Sequence, residues 1–146
     1  MVSHNKNRTR SVNISQAKEI FEYVDKDTDV VAIDEVQFLD EEAIRICEFL
    51  ADKGIRVIVS GLDREFRGEP FTFMPRLLAM AEYVTKLTAV CVKCGAPATR
   101  TQRIVNGKPA RYNDPIVLIG AEESYEARCR QCHKVYRAPK PYKELL

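Results

Sequence analysis

Hydrophobic positions in this chain form short continuous runs separated by stretches with helical spacing. Val30, Val31, Ala32 and Ile33 make one such run, and residues 55–59 make another around a single arginine. Both are rich in β-branched residues, which predicts strands over residues 30–34 and 55–61 that are buried on both faces, as in parallel sheets. Between them Ala43, Ile44, Ile46, Cys47, Phe49 and Leu50 share one face of a helix over residues 40–53. Asp40, Glu41 and Glu42 favour its N-terminus, and Gly54 suits its stop. Strand, helix and strand at this spacing predict a βαβ unit with a right-handed crossover.

Upstream, Ser15 is placed to cap a short helix running through Ala17, Ile20 and Phe21 to about Tyr23. Residues 62–75 are charged, aromatic and broken by glycine and proline, so they form a loop at the same end of the sheet as Asp34. Helical spacing returns over residues 74–83, and residues 84–90 begin another strand. Asn106-Gly107 has the chemistry of a hairpin turn. Ile116, Val117, Leu118 and Ile119 then run into Gly120. As a structural element that run would pair with a strand over residues 99–105. As a functional one its main-chain N–H and C=O groups could read a flat polar ring. Periodicity alone favours the structural version. The character of the chain changes near Ala89. The expected division is therefore an α/β core over residues 1–89, a second lobe over 90–136 and a tail over 137–146.

An apolar fraction of 45% in 146 residues supports a real core and excludes a disordered chain. The net charge of +2 does not imply a nucleic-acid partner, and the basic residues His4, Lys6, Arg8 and Arg10 read as a solvated arm. No signal-peptide core or bilayer-length apolar run occurs, so a cytoplasmic protein without a membrane partner is expected. In that compartment five cysteines point to metal binding or burial before disulfides.

Cys91 and Cys94 form one C-x-x-C pair, and Cys129 and Cys132 form another. Each pair offers two thiolates from one tight turn, the donor set of a structural Zn²⁺ site. Gly95 suits the first turn, and His133 is an alternative fourth ligand to Cys132. A redox C-x-x-C is the competing reading, and two pairs favour zinc. A closed four-ligand site leaves no open position for chemistry. Cys47, on the apolar helix face, reads as a core residue.

The run at residues 30–33 ends in Asp34-Glu35. From the residues alone this pair reads equally as acids stabilising a helix start or as a metal-holding acid beside a proton acceptor. Its neighbours add to it. Ile33-Asp34-Glu35-Val36-Gln37-Phe38, Gly61-Leu62-Asp63, Phe66-Arg67-Gly68-Glu69-Pro70-Phe71, and Lys86-Leu87-Thr88-Ala89-Val90-Cys91 together resemble the zinc-containing thymidine kinase family. The late segment Tyr125-Glu126-Ala127-Arg128-Cys129-Arg130-Gln131-Cys132-His133 resembles its bacterial branch.

The resemblance covers residues 30–133 and implies an α/β fold: a P-loop-type, mainly parallel sheet with flanking helices, plus a zinc-knuckle lobe bearing a lasso loop. It implies ATP-dependent phosphorylation of the 5′-hydroxyl of thymidine or deoxyuridine, in nucleotide salvage. Glu35 would be the catalytic base and Asp34 the Mg²⁺-linked acid, with Asp34, Glu35, Val36 and Gln37 forming the nucleotide-contacting stretch. Phe66 would line the thymine pocket, and Thr101 would face the base. Ile116, Val117, Leu118, Ile119 and Gly120, with Tyr125, would cover the nucleoside. Cys91, Cys94, Cys129 and Cys132 would hold zinc. A homotetramer is implied too, with thymidine and ATP as partners and no nucleic acid.

None of the six glycines opens a G-x-x-x-x-G-K-[ST] phosphate loop, and Gly107-Lys108 is followed by Pro109. The resemblance places such a loop ahead of the acid pair. The chain is therefore expected to represent the later part of such a kinase and to lack measurable activity by itself. Two other readings stand beside it. One is a zinc-ribbon module binding nucleic acid or protein through Arg100, Arg103, Lys108 and Arg111. The other is a kinase remnant that binds nucleoside without catalysis.

Overall fold

A computed structural model describes residues 11–116 and 123–139. The chain separates into two compact units, Met1–Gly61 and Leu62–Leu146. This break follows compactness, whereas the expected division near Ala89 follows composition.

In the first unit, strand β1 (Val30–Ile33) lies parallel to β2 (Arg56–Val59), with helix α1 (Glu42–Asp52) between them in sequence. The anticipated βαβ order is present. Ala43, Ile44, Ile46, Cys47 and Leu50 are the buried face of α1, joined in the core by Ile33, Val36, Ala17 and Ile20. The helix ends as its sequence dictates. Gly54, at φ +83°, donates its N–H to Ala51 O (2.8 Å), and Ile55 donates to Leu50 O (3.1 Å), so two terminal carbonyls are satisfied. Asp40 serves two helix starts, accepting from Glu42 N–H (3.1 Å) and Ala17 N–H (2.9 Å).

The upstream helix is a 3-10 helix, Ala17–Glu22, that begins after Gln16 and not after Ser15. Glu19 reaches back to accept from the Ser15 hydroxyl (2.8 Å) and the Gln16 N–H (2.8 Å), which fixes that start. One expectation is corrected. Burial alternates along β1 and β2, leaving Val30 and Ile58 about half exposed, so the strands are covered on one face only. An unbroken apolar run shows that a second face is fit for burial, not that a layer covers it.

The second unit holds α2 (Met74–Met80), β3 (Ala89–Val90), β4 (Pro97–Ala98), β5 (Arg100–Val105), β6 (Lys108–Pro109) and β7 (Glu123–Arg128). Its named strands pair antiparallel, β3 with β4 and β6-β5-β7 in that order, so among the described residues the α/β fold has one parallel sheet, β1-β2, and two antiparallel ones. The helix is shorter than expected, and residues 84–88 are exposed and unpaired, which reduces the anticipated strand to Ala89–Val90. Asn106 (φ +49°) and Gly107 (φ +72°) make the anticipated hairpin turn between β5 and β6. The partner of β5 across the sheet is β7, paired from Arg100↔Arg128 to Val105↔Glu123. Of the run expected there, Ile116 is outside any strand; Val117, Leu118, Ile119 and Gly120 lie outside the described residues. Among the described residues no helix is long and apolar enough to cross a membrane.

Candidate functional site

The two knuckles converge. Cys91, Cys94, Cys129 and Cys132 bring their sulfurs within 4.8 Å of one another, and Cys94 Sγ stands 3.6 Å from Cys129 Sγ. Tetrahedral Zn–S bonds of about 2.3 Å place sulfurs roughly 3.8 Å apart, so the donor set fits a four-coordinate soft cation. Both knuckles turn the same way, with Gly95 N–H donating to Cys91 O (2.9 Å) and His133 N–H to Cys129 O (3.0 Å). Burial resists ionisation of Cys91, yet the main-chain N–H groups of Cys129, Lys93 and Cys94 outweigh it and bring the thiol down to about 6. Cys132, facing Cys94 and Cys129, is pushed up to about 12. Four thiolates this close repel one another, and a divalent cation removes that repulsion. His133 is not the fourth ligand. Its Nε2–H donates to Phe66 O at 2.7 Å, and burial lowers the tendency of the ring to protonate.

Asp34 and Glu35 follow the C-terminal end of β1 and are exposed. Ser60, the residue after β2, donates its hydroxyl to Asp34 Oδ1 and its N–H to Ile33 O (2.8 Å). Glu35 occupies the left-handed region (φ +54°, ψ +36°), which is uncommon for a residue with a Cβ. Directly after it Val36 is fully buried and donates its N–H to Ser60 O (3.2 Å), so the chain turns sharply to seat Val36. Gln37, also buried, donates Nε2–H to Glu35 Oε2 at 2.5 Å.

Two opposing effects act at Glu35. A left-handed conformation costs a residue with a Cβ roughly 1–2 kcal/mol, against a larger unfolded-state entropy for glycine. Removing the carboxylate acceptor from a buried amide costs about 1–3 kcal/mol. The hydrogen bond outweighs the backbone strain, so Glu35→Gly is expected to lose about 1 kcal/mol while Glu35→Gln, which keeps an acceptor, stays within about 0.5 kcal/mol of the wild type. Urea midpoints for the two variants measure this. A more stable Glu35→Gly would show that relief of backbone strain exceeds what the Gln37 contact contributes.

In the second unit Thr101 and Arg103 on β5 lie opposite Ala127 and Tyr125 on β7, so all four share one face of the sheet. Thr101 is half-buried, and Tyr125 is 51% exposed. Phe66 is buried, with the guanidinium carbons of Arg67 and Arg103 over its ring at 4.8 and 5.1 Å. Ile116 is partly exposed at the edge of the described segment. Arg103 itself is fully buried, and no pattern in the sequence marks it out from the other cations among its polar neighbours.

A model of the thymidine kinase family matches residues 1–133. The chain belongs to the thymidine kinase family. The match spans the acid pair, the Phe66 loop and both knuckles, in agreement with the motifs read over residues 30–133. Membership in the thymidine kinase family supports a nucleoside-kinase type of function. The thiol cluster adds a metal-binding capacity to it.

Proposed function

We propose that the chain acts in ATP-dependent transfer of a phosphoryl group to the 5′-hydroxyl of thymidine or deoxyuridine. The family match over residues 1–133 carries this reading. The strained acid at the end of β1 supports it, because strain of this kind gathers where chemistry requires a particular geometry. Glu35, exposed and without a cationic partner in the ion pairs among the described residues, is the group that takes the hydroxyl proton. Asp34, oriented by Ser60, would hold Mg²⁺, which supplies charge neutralisation at the phosphates. Asp34 and Glu35 meet the nucleotide, and Val36 and Gln37, both buried, hold that stretch against the core.

Thr101, Tyr125 and the main chain from Ile116 through Gly120 hold the nucleoside, with Phe66 supporting that pocket. The knuckle cysteines would hold a structural Zn²⁺, in the manner of the bacterial branch. P-loop-type architecture, a homotetramer and a role in DNA precursor supply belong to the same reading.

The zinc-ribbon alternative loses one of its four cations, since Arg103 is fully buried and paired with Glu123. Thermal melts separate the readings. Thymidine at a hundred times its dissociation constant should stabilise the protein by about 2.7 kcal/mol, and single-stranded nucleic acid should do nothing. The opposite pattern would replace the kinase reading with the binding-module one.

A further inference from the structure

Arg67, Arg103 and Arg128 are each withdrawn from water in the second unit, and each has a carboxylate partner. Arg67 pairs with Glu65 (3.3 Å), Arg103 with Glu123 (2.7 Å) and Arg128 with Glu126. Arg64 and Arg100 are half-buried too, yet among the described residues neither forms an ion pair. The Nε–H of Arg100 is buried without a hydrogen-bond partner. The charges that face Arg100 are those of Arg130 and Arg64, so burial and two like charges together loosen its hold on its proton.

Local structure brings these side chains together. Arg100 opens β5 opposite Arg128 on β7, and Arg130 follows two residues later in the second knuckle turn. Arg64 is bridged to Pro70 across the loop that carries Gly68. Gly68, at φ +83°, makes the room: a Cβ there would collide with Arg100 Nη1 and stand 3.7 Å from His133 Cε1.

We infer that Arg64, Arg100 and Arg130 form a binding site for a phosphoryl dianion, either inorganic phosphate or a phosphate monoester. The site stands on the contacts above and holds or fails independently of the kinase reading.

Guanidinium groups gathered without a carboxylate repel one another, and a buried N–H without an acceptor destabilises the fold. Packing does not require either, since an apolar residue at position 100 would fill the space without them. A bound dianion removes both. Its charge offsets the repulsion, and its oxygens accept from the Arg100 Nε–H and from the forks of the neighbouring guanidinium groups. A carboxylate brings one charge and two oxygens to three cations, whereas a phosphoryl group brings up to two charges and three oxygens. Nucleic acid fits less well, because its phosphates lie along a line and are met by a groove of cations that tracks them. Here the cations gather around one buried guanidinium. Arg130 is exposed, which lets an anion approach from solvent.

Melting temperatures of the full, metal-loaded chain in inorganic phosphate, against chloride at equal ionic strength, test this. Phosphate should raise the melting temperature with a saturating dependence, and chloride should not. Arg64→Gln removes one charge, and Arg100→Lys keeps the charge but loses the buried Nε–H. Each should weaken the apparent phosphate dissociation constant by about tenfold or more. In phosphate-free buffer Arg64→Gln should melt at or above the wild-type temperature, because a repelling charge has gone. A lower temperature there would mark Arg64 as a packing residue and reject the site. Ribose 5-phosphate identifies the source: whichever of it and phosphate binds tighter is the class of ligand, and either supports the site. A phosphate effect no larger than that of chloride, or one unchanged in Arg64→Gln, would overturn the inference. So would an oligonucleotide that binds in an Arg64-dependent way where phosphate does not. Should Arg100→Lys lose its metal, Arg64→Gln decides alone.

Discussion

Chelating the metal, or replacing Cys129 with serine, is expected to unfold the knuckle lobe outright. The reason lies in what is buried there. The local core consists of Cys91, Ala98 and Cys129, with Ala96, Ala127 and Cys132 against it. Cysteine and alanine side chains remove little apolar surface from water, so this core cannot offset the entropy of ordering its strands. A metal held by the four thiolates would supply the difference. In zinc-finger peptides metal–thiolate bonding is worth about 10–16 kcal/mol, more than the whole stability of many domains. Amide protection across β3, β4, β5 and β7 should therefore vanish on chelation, while β1, α1 and β2 keep theirs. One metal per chain is expected by elemental analysis. Cys47→Ala should leave that content unchanged, because Cys47 is buried on α1 and outside the cluster. A lobe that keeps its protection without metal would mean the thiol cluster is not what holds it.

Several features were legible because short-range chemistry decides them. The order of β1, α1 and β2 follows from run lengths, and Gly54 ends α1 because its φ of +83° suits the helix stop. The Asn106-Gly107 turn and the knuckles follow in the same way, from residue types that fit one local geometry. Other features depend on partners distant in sequence. Val84 and Leu87 were expected in a strand, yet both are exposed, and among the described residues no neighbouring strand pairs with them. Arg103 looked like a surface cation, and only its partners at residues 115, 116 and 123 explain its burial. Gln102 is a similar case. Its amide both donates to Lys134 O and accepts from Lys134 N–H (2.8 Å each), imitating a strand partner. The backbone of Glu35 was hidden as well, since no residue type signals a left-handed glutamate. The turn is set by the burial of Val36 that follows.

The complementary experiment acts on the first unit. Leu50 is 1% exposed, the last residue of α1's buried face and one of the few large side chains in this core. Leu50→Ala is expected to cost about 2–5 kcal/mol, from lost transfer energy and the cavity left behind. A unit of sixty-one residues has roughly 3–9 kcal/mol to lose by the usual per-residue stability. Here the sheet is covered on one face only, which puts the unit toward the low end of that range. The substitution should therefore melt β1, α1 and β2 near physiological temperature, with metal content and knuckle protection intact. The acid pair would be lost with them. Asp34 and Glu35 are held by Ile33 and Val36 on either side, both buried in the core that Leu50 completes. Hydrogen exchange resolved by segment, together with metal analysis, reads the outcome. A Leu50→Ala protein whose first unit melts within a few degrees of the wild type would mean that core is stabilised by something other than α1's apolar face. Simultaneous release of the metal would mean the two units do not unfold separately.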